Sequence, residues 1–283
     1  MAPQHDHPHV HLDEAHWASW ADHAELEGDV LLDFVTGAAA SVAALAAGPV
    51  RRVLDVGSGP GVGTAELARR FPDAEVVAVD ASPAMLDRVG GRAARLGVAD
   101  RVRTHVAELP GGLTDLGPAD VVWASMSLHH VGDEVAALRA MAEVLAPGGV
   151  LALAEFADDP MRVLPDDLDL DPPGLGERLA QADAEWFAEM RAGLPGHEPS
   201  ADLAAMVAAA GLDVVGDEVV VVRFDAPLAA AAHRFAVEHL RRSRGRLEQH
   251  LDAQDAAALS ALEERADLLV HATRRIVVAR RPG

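Results

Sequence analysis

Between Arg51 and Phe156 the chain repeats one unit: a short apolar run, a turn, then a segment with helical spacing. Val53–Val56, Glu75–Asp80, Arg101–His105, Ala119–Ala124 and Val150–Phe156 read as strands, and Gly61–Arg70, Pro83–Leu96 and Asp133–Leu145 as helices among them. Short strands separated by helices cannot pair as hairpins. They must cross over and lie parallel, which demands a central sheet with helices on both faces. Local signals fit: Ser82 stands as an N-cap before Pro83, and Ala146-Pro147-Gly148-Gly149 is a turn leading into the last of these strands.

The flanks depart from this alternation. His5, His7, His9 and His11 alternate in a polar opening segment, expected to be a solvated, flexible tail and not a metal site, since chelation needs a fixed backbone and further ligands. From Asp13 or Glu14 the pattern turns helical, with Trp17, Trp20, Ala24, Leu31 and Phe34 on one broad face and Asp22, Glu25 and Asp29 on another. A second helix around Gly37–Ala47 should stop at Gly48-Pro49. Ala157–Pro173 reads as a loop, Gly176–Arg191 as a helix carrying Trp186, Phe187 and Met190, and Ser200–Ala210 as a helix ended by Gly211. Leu212–Phe224 reads as a strand with a bulge near Gly216, Pro227–His250 and Ala253–Thr273 as two helices, and Arg275–Ala279 as the final strand. The expected division is a tail (1–12), N-terminal helices acting as a lid (13–49), a core (50–156), an insertion (157–199), and completion of the sheet (200–283) with a helical insertion (227–273). That last insertion should form a cap or a homodimer surface.

Composition narrows the partners. A chain of 283 residues, half of them hydrophobic, can bury a sizeable core. Its net charge of −21 disfavours a phosphate-backbone ligand, which needs a basic stripe. The dense basic clusters, Arg241–Arg246, Arg274–Arg275 and Arg280–Arg281, lie near the end and read as a solvated helix face and a terminus. Without cysteine there is no disulfide, thiolate metal site or cysteine nucleophile. Apolar runs such as Ala38–Ala47 fall short of a membrane span, and no signal segment is evident, so a cytoplasmic protein without nucleic-acid or membrane partners is expected.

The loop after the first strand carries the most chemistry. VLDVGSGPGVGT (Val53–Thr64) ends its strand near Asp55 and places glycines at 57, 59 and 61. A dinucleotide fingerprint needs a third glycine or alanine where Val62 stands, and a phosphate-binding P-loop needs a lysine, which the chain lacks entirely. In an open parallel sheet the ligand lies at the carboxyl ends of the strands, where Asp80 can accept both hydroxyls of a ribose.

This loop, with Asp80, Glu108–Pro110 (ELP), the segment ADVVWASMSLHHV and the block LAPGGVLALAEF ending at Phe156, resembles the class I S-adenosylmethionine-dependent methyltransferases. The additions outside the core look most like small-molecule enzymes of bacterial specialised metabolism. The resemblance implies an α/β, Rossmann-like, doubly wound and mostly parallel sheet. It also implies S-adenosyl-L-methionine as cofactor and S-adenosyl-L-homocysteine as product. Gly57, Ser58, Gly59 and Gly61 would pass beneath the methionine portion, and Asp55 would hold its ammonium group directly or through water. Asp80 would take the ribose hydroxyls, Ala81 and Met85 would pack on the adenine, and Glu108 with the Leu109 amide would read its edge. Ser125 would lie beside the sulfonium.

Methyl transfer is an in-line displacement, so a base is needed only where the acceptor carries a proton at neutral pH. His130, His129 and Glu155 are the candidates for that role, with helix-cap or strand-end functions as the competing readings. Trp17, Trp20 and the helix carrying Trp186, Phe187 and Met190 are candidate walls for a small apolar or aromatic acceptor, such as an indole, phenol or amine, with core packing as the alternative. Two rivals stand beside this reading. A nicotinamide-dependent oxidoreductase is opposed by Val62 and the lack of a Tyr/Lys pair. A non-catalytic cofactor-binding module is opposed by the intact Asp55, Asp80 and Glu108 set.

Overall fold

The computed structural model describes residues 14–157, 161–165, 172–196, 202–247 and 249–283, with side chains from Trp20 onward except at 246. The histidine-rich segment and the Trp17 side chain lie outside that description. In chain order the elements are α1 (Glu14–Val30), α2 (Leu32–Leu45), β1 (Arg52–Val56), α3 (Val62–Arg70), β2 (Glu75–Asp80), α4 (Pro83–Arg95), β3 (Val102–Val106) and β4 (Ala119–Ser125). They continue with α5 (Glu134–Val144), β5 (Leu145–Phe156), α6 (Leu175–Ala192), α7 (Leu203–Ala209), β6 (Asp213–Phe224), α8 (Ala230–Leu247), α9 (Ala253–Leu262) and β7 (Val270–Arg280).

The strands form one seven-stranded sheet in the order β3-β2-β1-β4-β5-β7-β6. It is parallel from β3 through β5, while β7 runs antiparallel to both of its neighbours. Period-2 alternation sorts the side chains between two layers. Val53, Val76, Ala78, Val121 and Trp123 face Phe34, Val35, Ala38 and Val42 of α2 and Leu67, Leu86 and Val89 of α3 and α4. Leu54, Val77, Val79, Val122 and Leu151 face Leu138 and Met141 of α5 and Val207 of α7. A third cluster, with Phe235, Leu240, Leu259, Leu262 and Leu268, joins α8 and α9 to Leu26 and Val30 of α1 and forms a separate cap core.

Three boundaries differ from the sequence reading. The expected helix Ala253–Thr273 stops at Leu262, and Val270–Thr273 open β7 instead, paired with β6 from Phe224 to Val221. The run LLVHAT is buried at every position, His271 and Thr273 included, and has no polar face, so it carries no helix or strand period to read. The helix expected at Gly37–Ala47 begins earlier, at Leu32. It bends 70° from the preceding helix, because α2 buries against the sheet while α1 crosses to α4 and α8. The turn Ala146–Gly149 is a bulged lead-in to β5, where the register with β4 shifts. The bulge expected near Gly216 is present between Val214 and Gly216. Among the described residues no single helix is long and apolar enough to cross a membrane.

Candidate active site at the carboxyl edge of the sheet

β1 lies at the centre of the sheet, between β2 and β4, so its carboxyl end opens where the connections diverge to opposite faces. There the amides of Gly57 and Ser58 both donate to the Val79 carbonyl, at 2.8 and 3.0 Å. The Gly59 amide donates to Asp80 Oδ2 at 2.8 Å, and the Ser82 amide to Asp80 Oδ1 at 2.9 Å. Asp80 thus ties the glycine loop to the start of α4. The Asp80 carbonyl in turn accepts from Ala107, which brings the Glu108 segment alongside.

Two glycines show why the loop needs them. At Gly57 the backbone is left-handed (φ +69°), and an added Cβ would lie 2.3 Å from Ser127 Cβ. At Gly59 (φ +51°) an added Cβ would meet nothing within 4 Å; it would project into open space. The first glycine lets the turn after β4 approach, and the second leaves a cradle for a ligand. Ser58 adds a buried hydroxyl with no hydrogen-bond partner, and Asp80 sets a carboxylate at the strand end, suited to hydroxyl donors. A nucleoside-bearing cofactor fits this set.

The other residues expected around a cofactor are placed unevenly. Ser125 is half-buried at the end of β4, Leu109 is half-buried, and Ala81 and Glu108 are exposed. Met85 is buried on the inner face of α4, whose first turn is capped by Ser82 Oγ accepting the Met85 amide. Asp55 is buried under the first turn of α3, where Thr64 Oγ1 donates to its Oδ2 at 2.5 Å. Burial pushes the Asp55 carboxyl up to about 7; the Thr64 hydrogen bonds oppose this and the Asp80 charge adds to it.

Beyond β4 and β5 stands a second group. Glu155 Oε1 accepts the amides of Ser127 and Leu128 at 3.0 and 2.7 Å, and its Oε2 lies 2.7 Å from His129 Nδ1. Burial alone would raise the Glu155 carboxyl, but the His129 ring, through charge and hydrogen bond, and the two amides outweigh it and hold the group below its usual range. The carboxylate therefore fixes the turn Ser127–His130 and selects Nδ1 as the donor nitrogen of His129, which leaves Nε2 as the acceptor. Met126, just before this turn, adopts φ +55°, a conformation found at no other non-glycine residue described. Such backbone strain persists only where the surroundings hold it, here including the Met126 amide donating to the Ala154 carbonyl at 2.7 Å.

Of the two histidines, the structure brings His129 to Glu155, while His130 is exposed beside it with ring centroids 4.1 Å apart. The sequence offered Trp186, Phe187 and Met190 as one wall, and Phe156 was not among its candidates. Phe156 ends β5 40% exposed, 4.8 Å from the His129 ring, and Phe187 of α6 meets it edge-on at 5.7 Å. Trp186 and Met190, on the same helix, are half-buried, and it is Phe187 that reaches His129. Trp20 packs on His23 and under the Arg242 guanidinium, between α1 and α8. Helix α6 is anchored at both ends: Arg178 makes a bidentate pair with Asp255 of α9, and Arg191 donates to the His129 carbonyl and to Glu134. Among the described residues no cluster of side chains suits a metal ion.

Residues 53–149 match the family described as "Methyltransferase domain". A trans-aconitate 2-methyltransferase from Methylobacterium radiotolerans is 36% identical over 138 residues, covering 49% of this chain and 46% of that protein. A malonyl-[acyl-carrier protein] O-methyltransferase from Halorhodospira halophila is 39% identical over 114 residues, 40% of this chain and 38% of that protein. The chain thus spans less than half the length of these curated relatives. In fold it resembles an O-methyltransferase family protein from Burkholderia thailandensis, with a TM-score of 0.54 at 18% identity, over 97% of this chain and 62% of that one. The sequence match over 53–149, the strand order with its antiparallel β7 and the glycine cradle behind Asp55 together support a class I S-adenosylmethionine-dependent methyltransferase domain.

Proposed function

We propose that this protein transfers a methyl group from S-adenosyl-L-methionine to a small acceptor that must shed a proton, with His129 as the base and Glu155 as the residue that orients it. The observation that carries this reading is the 2.7 Å contact between His129 Nδ1 and a buried carboxylate, one strand away from the glycine cradle. The cofactor, held by the 57–61 loop, Asp80 and the Glu108–Leu109 segment, supplies an electrophilic methyl group and its leaving group. His129 accepts the acceptor's proton at Nε2. Glu155 is saturated by three donors and serves to hold the imidazole and the turn. Phe156 and Phe187 exclude water and offer flat apolar faces, which suits a planar aromatic acceptor such as a phenol or indole, or an arylamine. Helix α1, whose Gly28 lies against Val62 at the start of α3, serves as the lid on the cofactor side, with α2 fixed in the core layer behind it.

A carboxylate acceptor, of the kind the two relatives' names indicate, would need no base at neutral pH. Turnover of His129→Asn separates the two. With phenolic or indolic acceptors kcat should fall by about 100- to 10,000-fold while calorimetric affinity for S-adenosylhomocysteine stays unchanged. Wild-type kcat in that variant would remove the base role. Turnover of carboxylates alone, across a panel that includes phenols, indoles and amines, would replace the substrate class.

A further inference from the structure

β6 is the outermost strand of the sheet, bonded on one side to β7. It is also the most apolar exposed element: Val214, Val215, Val219 and Val221 are 38, 40, 58 and 57% exposed. Proteins guard such edges with charges, prolines or bulges, because an unpaired strand is a template for another strand. Here the bulge is confined to Val214–Gly216, and the run Val219–Val222 contains neither charge nor proline.

We infer that this edge pairs antiparallel with β6 of a second copy, about a two-fold axis at Val220, so that two sheets become one. The strand itself argues for a second copy as the occupant. A two-fold axis normal to the sheet keeps each face on its own side, so only residues of equal parity pair. With the axis at Val220, Val219 meets Val221 of the partner subunit and Asp217 meets Arg223 of the partner subunit, each contact made twice. Moving the axis to Val219 sets Asp217 against Val221 of the partner subunit. Moving it to Val221 sets Asp217 against Asp225 of the partner subunit. An axis at Glu218 sets two glutamates face to face and draws the bulge into the ladder. The register at Val220 is the one that matches Val219 with the partner's Val221 and Asp217 with the partner's Arg223 together; it also sets Glu218 against Val222 of the partner subunit, and Asp217 and Arg223 keep their pairs with Arg275 and Asp225 within each copy. The most exposed valines, Val219 and Val221, are the ones it covers.

The absence of cysteine makes the register directly testable. Directly opposed residues of antiparallel strands have Cα atoms about 4.5–5.5 Å apart, within disulfide reach. Diagonal ones lie about 7–8 Å apart and fall outside it. Under mild oxidation Val220→Cys should crosslink two copies, while Val221→Cys alone should stay reduced. In sedimentation the wild type should be a dimer, and the double variant Val219→Lys, Val221→Lys a monomer with an unchanged far-ultraviolet spectrum. A wild type that sediments as a monomer at every concentration, or a dimer that survives both lysines, overturns the interface. Crosslinking of Val221→Cys in place of Val220→Cys overturns the register.

Discussion

Asp80 accepts the Gly59 amide with one carboxylate oxygen and the Ser82 amide with the other, so the residue proposed to take the ribose hydroxyls also shapes the loop around them. Asp80→Ala should therefore lower affinity for S-adenosylhomocysteine by about 10- to 100-fold in calorimetry, as expected for losing hydrogen bonds to a charged acceptor. Unchanged affinity would remove the ribose assignment. Asp55 makes a different prediction. Its carboxyl, raised to about 7 from 3.8, keeps its proton in the folded state to a higher pH than in the unfolded chain. Through that window the folded state binds more protons, so stability falls as pH rises, and the loss is complete above the folded value. Asp55→Asn should flatten this decline and melt no earlier than wild type above neutrality, in calorimetric scans across the window. The ceiling of the effect is on the order of a few kcal/mol. The glycine register and Asp80 were legible in the sequence because their spacing along one strand-turn-helix carries the geometry. The sequence grouped Phe187 with Trp186 and Met190 as one wall without showing which of them reaches His129, because adjacent residues on a helix differ by about 100° in direction and one step of phase decides it.

Helix α1 reads in sequence as amphipathic, with Asp22, Glu25 and Asp29 on a polar face. That face is a seam. Arg88, Arg92 and Arg95 of α4 meet it, with Arg88 Nη1 2.7 Å from Asp22 Oδ1, Arg92 bonded to both Glu25 and Asp29, and Arg95 2.8 Å from Glu25. On another side the buried Arg274 of β7 pairs with Glu27 at 3.0 Å. Sequence alone shows two charged stripes some distance apart and gives no sign that they meet, since each satisfies the pattern of a solvated face. Arg92→Ala should loosen the seam by about 1–3 kcal/mol, because its guanidinium is buried and Asp29 loses its partner, while Glu25 keeps Arg95 and Arg88. Hydrogen exchange should then accelerate across α1 and leave β1 and β4 protected; uniform exchange would make the seam incidental. Strands β1 to β4 were legible to within a residue or so because turn residues bound each one. The opening of β7 was hidden for the opposite reason, its apolar run having no neighbour in sequence to show where helix stops.

At the scale of the molecule, alternation between 51 and 156 dictated a parallel sheet with two helical layers, and that core is what the structure contains. The cap was expected as a helical insertion, but its separate core, with Phe235 and Leu259 packed toward α1, depends on contacts between distant segments. Those contacts have no period to read. Helix α6 connects the two bodies. One end is clamped to α9 through Arg178 and Asp255, the other to the turn Ser127–His130 through Arg191, and Phe187 lies against the proposed base. It acts as a connecting rod. With His129 as the proposed base, an acceptor large enough to push the cap outward would draw the 129 carbonyl, and with it the imidazole, away from the reacting methyl. Oversized acceptors should therefore bind yet react slowly, lowering kcat more than they raise KM across a series of increasing bulk. Size selection under the proposed function would then be exercised on alignment after binding, and a change of substrate range could begin with the length or tethering of one helix while the cofactor half stays as it is.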